Sequence, residues 1–257
     1  MRQILHSKIY GNHPKHLLIL HGLFGQADNF GTLSKRFSEF YTVHAIDLRN
    51  HGRSFHDDDM SLQAMADDLL NYLDENQIET CFLLGHSLGG RAVIEFSYLY
   101  PQRLEKLIVA DMAPKAYPPH HQGIFKALNS VDFDQINKRA EVEEVLKLYI
   151  PEYSVRQFLL KNVHFTDSGK YAFRFNLKVL NQWYNEMIEH EMTIGTFDKP
   201  TLFLKGEKSD YILPEDFDLI YKHFPKAEIK TVPNAGHWVH AENPNAFHDF
   251  ITEFLND

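Results

Sequence analysis

The residues best suited to covalent chemistry lie in one segment, Gly85-His86-Ser87-Leu88-Gly89. A short apolar run precedes this segment, and apolar residues at helical spacing follow it, which predicts a strand, a sharp turn and a helix. Such a turn exposes the side chain at its corner, and the flanking glycines leave room for the chain to close. We therefore predict that Ser87 is a nucleophile, although the same pattern also occurs in ordinary turns.

A serine hydroxyl needs a base to accept its proton and a carboxylate to orient that base. The predicted base is His237, which comes directly after Gly236 in the loop that follows the last predicted strand. Asp111 and Asp210 are both candidates for the acid, because each follows a predicted strand and can reach a histidine above the turn. Asp111 is the favoured candidate, and a helix cap or turn carboxylate is the alternative interpretation of either residue.

Ester chemistry also needs two donors for the negative charge that develops on the carbonyl oxygen. The backbone N–H of Leu88 follows the nucleophile directly, and the backbone N–H of Leu23 lies in a glycine-containing loop after an early strand. Both donors are main-chain groups, so an apolar side chain at these positions is no objection. We predict that Leu23 and Leu88 form the oxyanion hole.

Several aromatic residues are candidates for the wall of an acyl-binding pocket. They are Phe24, Phe173, Phe175, Trp183 and Trp238. For those in the middle of the chain, packing inside a helical segment is an equally good interpretation.

Strands that alternate with helices predict a mostly parallel sheet, whose carboxyl-terminal edge would carry these residues. The alternation stops between residues 115 and 199, where amphipathic helical patterns occur without a clear sheet strand. We predict that residues 1–114 and 200–257 form the core domain and that residues 115–199 form a helical lid.

Composition narrows the range of partners. The chain has 257 residues, of which 44% are hydrophobic, and a net charge of −9 without a basic run, which argues against nucleic acid as a partner. Cys81 is the only cysteine, and no apolar run is long enough to span a membrane, so we expect a cytoplasmic protein. The sequence predicts no metal site and no cofactor, and it does not indicate an oligomeric state.

Four segments of the chain resemble the α/β-hydrolase superfamily. They are residues 21–25, residues 47–54 (Asp-Leu-Arg-Asn-His-Gly-Arg-Ser), residues 85–90 and residues 236–240 (Gly-His-Trp-Val-His). The second and fourth are most similar to bacterial YbfF-type esterases. This resemblance implies an α/β-hydrolase fold with an eight-stranded, mostly parallel sheet, flanking helices and a helical lid. It also implies a serine esterase for small-molecule carboxylic esters or acyl thioesters.

The same resemblance bears on the acid. It supports Asp111, and it suggests Ser209 as an additional polar residue near the histidine. Asp210 beside it resembles the acid of other α/β-hydrolases, so both candidates stay open. A carbon–carbon bond hydrolase or lyase on this fold, or a non-hydrolytic ligand receptor, are the alternative functions.

Overall fold

A computed structural model describes residues 3–189 and 195–257 of the chain. Nine strands occur in these ranges: β1 Ser7–Tyr10, β2 His16–Leu20, β3 Thr42–Ile46, β4 Cys81–His86, β5 Leu104–Ala110, β6 Val163–Phe165, β7 Tyr171–Phe173, β8 Thr201–Gly206 and β9 Ala227–Val232. Seven of them form one sheet in the order β1-β3-β2-β4-β5-β8-β9. All neighbours in this sheet are parallel except β1, which pairs antiparallel with β3 at the edge.

The expected sheet of eight strands is therefore wrong for the described residues. Strands β6 and β7 pair only with each other, in a separate antiparallel hairpin. Each has three residues, and the hairpin lies within the segment between β5 and β8. A mostly parallel sheet is confirmed, with one strand fewer than expected.

Ten α-helices accompany the strands within the described residues. They are α1 Gly31–Phe37, α2 Leu62–Glu75, α3 Leu88–Leu99, α4 Gln122–Asn129, α5 Arg139–Lys147, α6 Tyr153–Leu160, α7 Leu177–Glu189, α8 Phe217–His223, α9 Val239–Glu242 and α10 Pro244–Asn256. The hydroxyl of Ser61 accepts the N–H of Ala64 at 3.2 Å and so caps α2, because the first N–H groups of a helix have no partner within it.

Helices cover both faces of the sheet, and the central strands carry apolar residues that point to each face. Leu18 and Leu20 of β2 belong to a buried cluster with side chains of α2 and α3. Leu17 and Ile19 of the same strand point the other way, into a cluster with α1 and α10. Successive side chains of a strand point to opposite faces, so a strand buried on both faces needs apolar residues at every position.

The segment between β5 and β8 carries helices α4 to α7 and the β6–β7 hairpin. It is joined to the sheet end by hydrogen bonds, for example from the side-chain amide of Asn162 to the carbonyl of Phe24 at 2.8 Å. Residues 190–194 of the predicted lid lie outside the described residues. The division into a core of residues 1–114 and 200–257 and a lid of residues 115–199 stays a prediction.

The parallel strands end at one edge of the sheet, directly before the chemistry-bearing residues. Ser87 follows β4, Asp111 follows β5, and Ser209 and His237 lie in the loops after β8 and β9. Ligands of open parallel sheets bind beyond this edge. Within the described ranges, no helix combines the length and the apolar character needed to cross a membrane.

Candidate active site

Ser87 occupies the corner between β4 and α3 in a strained conformation. Its φ is 55° and its ψ is −118°, although it carries a Cβ atom. A Cβ added at Gly85 would lie 2.2 Å from the carbonyl oxygen of Gly89, and one added at Gly89 would lie 2.6 Å from the carbonyl oxygen of His21. Both glycines are therefore needed for the close approach that holds the serine above the sheet.

The ring of His237 lies between the serine and a carboxylate. The Ser87 hydroxyl donates to Nε2 at 2.9 Å, and Nδ1–H donates to Oδ2 of Asp111 at 2.8 Å. A carboxylate only accepts hydrogen bonds, so its contact assigns the ring proton to Nδ1 and leaves Nε2 free to accept. This is the geometry that a base needs in order to take the proton of a serine.

The carboxylate of Asp111 is fully buried and accepts several hydrogen bonds. Oδ1 accepts the backbone N–H of Gly206 at 2.8 Å, and Oδ2 also accepts the Ser209 hydroxyl. The other candidate for the acid, Asp210, is exposed, and no hydrogen bond joins it to His237 within the part of the chain described. The structure thus brings Asp111 and Ser209 to the histidine and leaves Asp210 outside.

Burial determines the charge state of these groups. It lowers the pKa of His237 to about 3, so the ring is neutral at rest and can act as a base. Burial also raises the pKa of Asp111 to about 7, against the Ser209 hydroxyl and the Gly206 N–H, which favour the carboxylate and lower it.

A second aromatic ring packs against the face of the base. Tyr211 stacks on His237 with ring centroids 3.7 Å apart and an interplanar angle of 17°. Its hydroxyl also contacts His120 in the segment between β5 and β8. Sequence reasoning missed Tyr211, and its position beside Asp210 in the loop after β8 was the available signal.

The loop after β2 faces the nucleophile and is braced by two neutral histidines. His21 accepts the N–H of Leu48 at 3.1 Å, and His51 accepts the N–H of Phe24 at 3.2 Å. The N–H of Leu23 has no acceptor within the described residues. The N–H of Leu88, the first residue of α3, belongs to the helical turn whose donors have no partner within the helix. Both groups are therefore available to an oxyanion.

Comparison with known proteins agrees with this arrangement. Residues 17–250 match the Alpha/beta hydrolase family. The chain is an α/β-hydrolase.

Relatives of this α/β-hydrolase include esterases and a lipase. It is 37% identical to esterase YbfF of Escherichia coli, over 96% of this chain and 95% of that protein. It is 36% identical to the sn-1-specific diacylglycerol lipase ABHD11 of Mus musculus, over 93% of this chain and 80% of that protein. A solved structure described as a marine microorganism esterase superposes with a TM-score of 0.96 at 37% identity, covering 98% of this chain and 100% of the other. The fold and the family predicted from the sequence are thus confirmed.

The cleft of this α/β-hydrolase opens directly above Ser87, and its volume is about 60 Å³. Phe24 and Trp238, two of the predicted pocket residues, line it. The other three, Phe173, Phe175 and Trp183, are not among its lining residues.

Those three aromatic residues have other partners. Phe173 and Phe175 stack on each other with centroids 4.8 Å apart, and Phe175 is buried in the core. The indole N–H of Trp183 donates to the carbonyl of Asp58 at 2.7 Å. Core packing, the alternative interpretation, accounts for these contacts, and a role of the three residues in a substrate pocket stays a prediction.

Apolar side chains of α4 and α6 form the wall of the cleft together with Phe24 and Trp238. Ile124 comes from α4, and Val155, Phe158 and Leu159 come from α6. The amphipathic pattern predicted both helices, but it does not tell which part of an apolar face lies against a cleft and which part lies against the core.

The described residues hold no cluster of three or more His, Cys, Asp and Glu side chains arranged to bind a metal ion. His86 and His240 line the cleft but are almost fully buried, and burial lowers the pKa of His86 to about 3. His86 contacts the backbone carbonyl of His237 at 2.8 Å and so supports the loop that carries the base.

Proposed function

We propose that this chain is a serine ester hydrolase that forms an acyl-enzyme on Ser87. The observation that carries the proposal is the His237 ring, which is hydrogen-bonded to the Ser87 hydroxyl at 2.9 Å and to the Asp111 carboxylate at 2.8 Å. The esterase and lipase names of its relatives support the same conclusion. Asp111 is the acid of this proposal, and Ser209 is its hydrogen-bonding partner.

The reaction begins when Ser87 Oγ attacks the acyl carbon and its proton passes to Nε2 of His237. Asp111 stabilises the imidazolium through Nδ1–H, while the N–H groups of Leu23 and Leu88 hold the oxyanion. Collapse of the tetrahedral intermediate breaks the bond to the leaving alcohol or thiol, which takes the proton from Nε2. A water molecule then attacks the acyl-enzyme by the same route and releases the carboxylic acid.

The substrate class follows from the wall of the cleft. Ile124, Val155 and Phe158 are apolar, so they suit the hydrocarbon part of an acyl group. We propose carboxylic esters or acyl thioesters as substrates, with residues 115–199 acting as the lid over the acyl group. A cytoplasmic location belongs to the same proposal, and cell fractionation tests it.

Rapid-mixing hydrolysis of a chromogenic acyl-ester series by the native protein and by Ser87→Ala tests the mechanism. We expect a burst of product equal to the enzyme concentration in the native protein, and a loss of turnover of about 10⁴-fold or more in the variant. Circular dichroism of the variant confirms that it is folded.

Two results would contradict the proposal. Full activity of Ser87→Ala would remove Ser87 from the mechanism. Inactivity of the native protein on every ester and thioester of the series would favour carbon–carbon bond chemistry or ligand binding instead.

A further inference from the structure

A second, polar cavity lies beside the active-site cleft, and we call it the basic cavity. Its lining includes Lys8, Arg53, Lys161 and Arg174, and its volume is about 150 Å³. One water molecule needs about 10–15 Å³ of such space, so the cavity has room for a larger polar group. Four cations around one cavity are unusual in a chain with a net charge of −9.

The carboxylates in the lining of the basic cavity already have partners. Asp28 pairs with Lys8. Asp47 accepts the N–H groups of Ala27 at 2.6 Å and of Arg53 at 2.9 Å, and its side chain also contacts His6.

The other three cationic side chains of the lining differ from Lys8, which is paired with Asp28. The side chains of Arg53, Lys161 and Arg174 form no ion pair with a carboxylate in residues 3–189 and 195–257. Two of them are held close together, because the N–H of Arg174 donates to the carbonyl of Asn162, the neighbour of Lys161, at 2.9 Å. Four cationic side chains thus face two carboxylates, Asp28 and Asp47, so the lining keeps a net positive charge that a bound anion would neutralise.

Shared lining residues connect the basic cavity to the active-site cleft through a third cavity. Lys161 lines it and also lines a larger cavity of about 590 Å³. That larger cavity shares Phe158, Trp238 and His240 with the cleft above Ser87. Burial is the main reason why the pKa of His240 in the cleft wall is lowered, and the charge of Lys161 adds to that effect.

We infer that the basic cavity binds an anionic group, a phosphate or a carboxylate, at the end of the substrate that is distant from the scissile ester. The fork of a guanidinium group suits both anions, because its N–H groups can donate to two oxygens at once. The larger cavity holds the part of the substrate between the ester and the anion. The assignment of the anion to a substrate rests on the proposed ester hydrolase function. The anion site itself rests only on the cavity.

The first experiment measures anion binding without turnover. Inorganic phosphate is titrated against chloride at equal ionic strength, and the unfolding temperature is followed. We expect a rise with phosphate, because a ligand of the native state stabilises it, and loss of that rise in Arg174→Gln. Lys178→Gln is the matched control, since Lys178 is an exposed cation on α7 outside the cavity. An equal rise in Arg174→Gln, or none in the native protein, would overturn the anion site.

The second experiment separates an anion carried by the substrate from a free anion. Two esters share one acyl group, and their leaving groups have equal length but end in a phosphate monoester or in a hydroxyl. We expect kcat/KM of the native protein to be about tenfold higher for the phosphate ester. The ratio of the two kcat/KM values should fall towards one in Lys161→Met and stay unchanged in Lys178→Gln.

The outcomes separate this inference from the proposed function. Equal kcat/KM for both esters in the native protein, together with phosphate binding, would show that the cavity serves a free anion and would overturn its assignment to the substrate. Failure to hydrolyse either ester would overturn the proposed function and the substrate assignment, while a positive phosphate titration would leave the anion site standing.

Discussion

The floor and the wall of the active-site cleft are built in different ways. The floor consists of Ser87, Asp111 and His237, which lie at the carboxyl ends of parallel strands and are joined by hydrogen bonds shorter than 3 Å. The wall consists of apolar side chains such as Val155 and Phe158, which helix α6 carries between β5 and β8. The floor holds individual reacting atoms in fixed positions, whereas the wall provides apolar surface area.

This difference indicates which part of the site tolerates amino-acid substitution. Proton transfer depends on the position of one atom relative to another, so an error of a fraction of an ångström at the floor is costly. Contact with a hydrocarbon chain is proportional to buried area and has no direction, so loss of one side chain at the wall removes only a share of it. Substitutions at the floor should therefore act on kcat, and substitutions at the wall should act on KM.

The largest effect is expected at the acid of the floor. Asp111→Asn should lower kcat/KM about 10³- to 10⁴-fold, because an amide favours the wrong ring tautomer of His237 and cannot stabilise the imidazolium. Steady-state hydrolysis of a chromogenic ester measures this loss. Asp210→Asn is the matched control and should stay close to the native protein, since Asp210 is exposed. The reverse pattern would transfer the role of the acid to Asp210.

A smaller effect is expected at the wall. Phe158→Ala should raise KM for long acyl esters about 3- to 10-fold with little change in kcat, because it removes apolar area that contacts the acyl chain before and during reaction alike. Michaelis–Menten analysis over an acyl-length series measures the split. Phe165→Ala serves as the control, because Phe165 is 63% exposed on β6 and does not line the cleft. A fall in kcat with unchanged KM would remove the distinction between wall and floor.

The smallest effect at neutral pH, about two- to fivefold, is expected at Ser209, whose hydroxyl favours the carboxylate form of Asp111. Without that hydroxyl the pKa of Asp111 should rise further above its ordinary range, from about 7 in the native protein. Since the carboxylate is the active form, Ser209→Ala should lose activity as the pH falls and recover it at alkaline pH. The acid limb of the kcat/KM profile should move upward by about one pH unit. Ser209→Thr keeps a hydroxyl and should restore the native profile, and an unshifted limb in Ser209→Ala would contradict the coupling.

The sequence predicted Ser87 and His237 of the floor to the residue and its acid as one of two candidates, whereas it predicted the wall only to the level of helices. Ser87, Asp111 and His237 each follow a strand, so their convergence is a consequence of parallel strand order. The spacing of Gly85 and Gly89 predicted the turn, because few other residues fit its backbone geometry. For the wall, the face of α6 that meets the cleft depends on tertiary packing, and Phe173 and Phe175 found partners in each other.

The strand count was wrong for another reason, because the number eight was implied by the resemblance to the superfamily and was not counted from the residues. Residues 171–173 do form a strand in the segment between β5 and β8, but its partner is the neighbouring strand β6 and not the central sheet. Alternation indicates an extended backbone without identifying the strand that it pairs with. Asp111 was favoured over Asp210, but the residues alone left both open, because the burial that separates them arises only on folding.

The strained backbone of Ser87 lowers the stability of the folded protein. A φ of 55° with a ψ of −118° costs about 1–3 kcal/mol for a residue with a Cβ atom, and the fold retains this conformation at the position of the proposed nucleophile. Glycine would adopt the same conformation with less strain and would carry no hydroxyl. Selection for thermal stability therefore favours glycine at this position, whereas selection for turnover favours serine, which is the residue present.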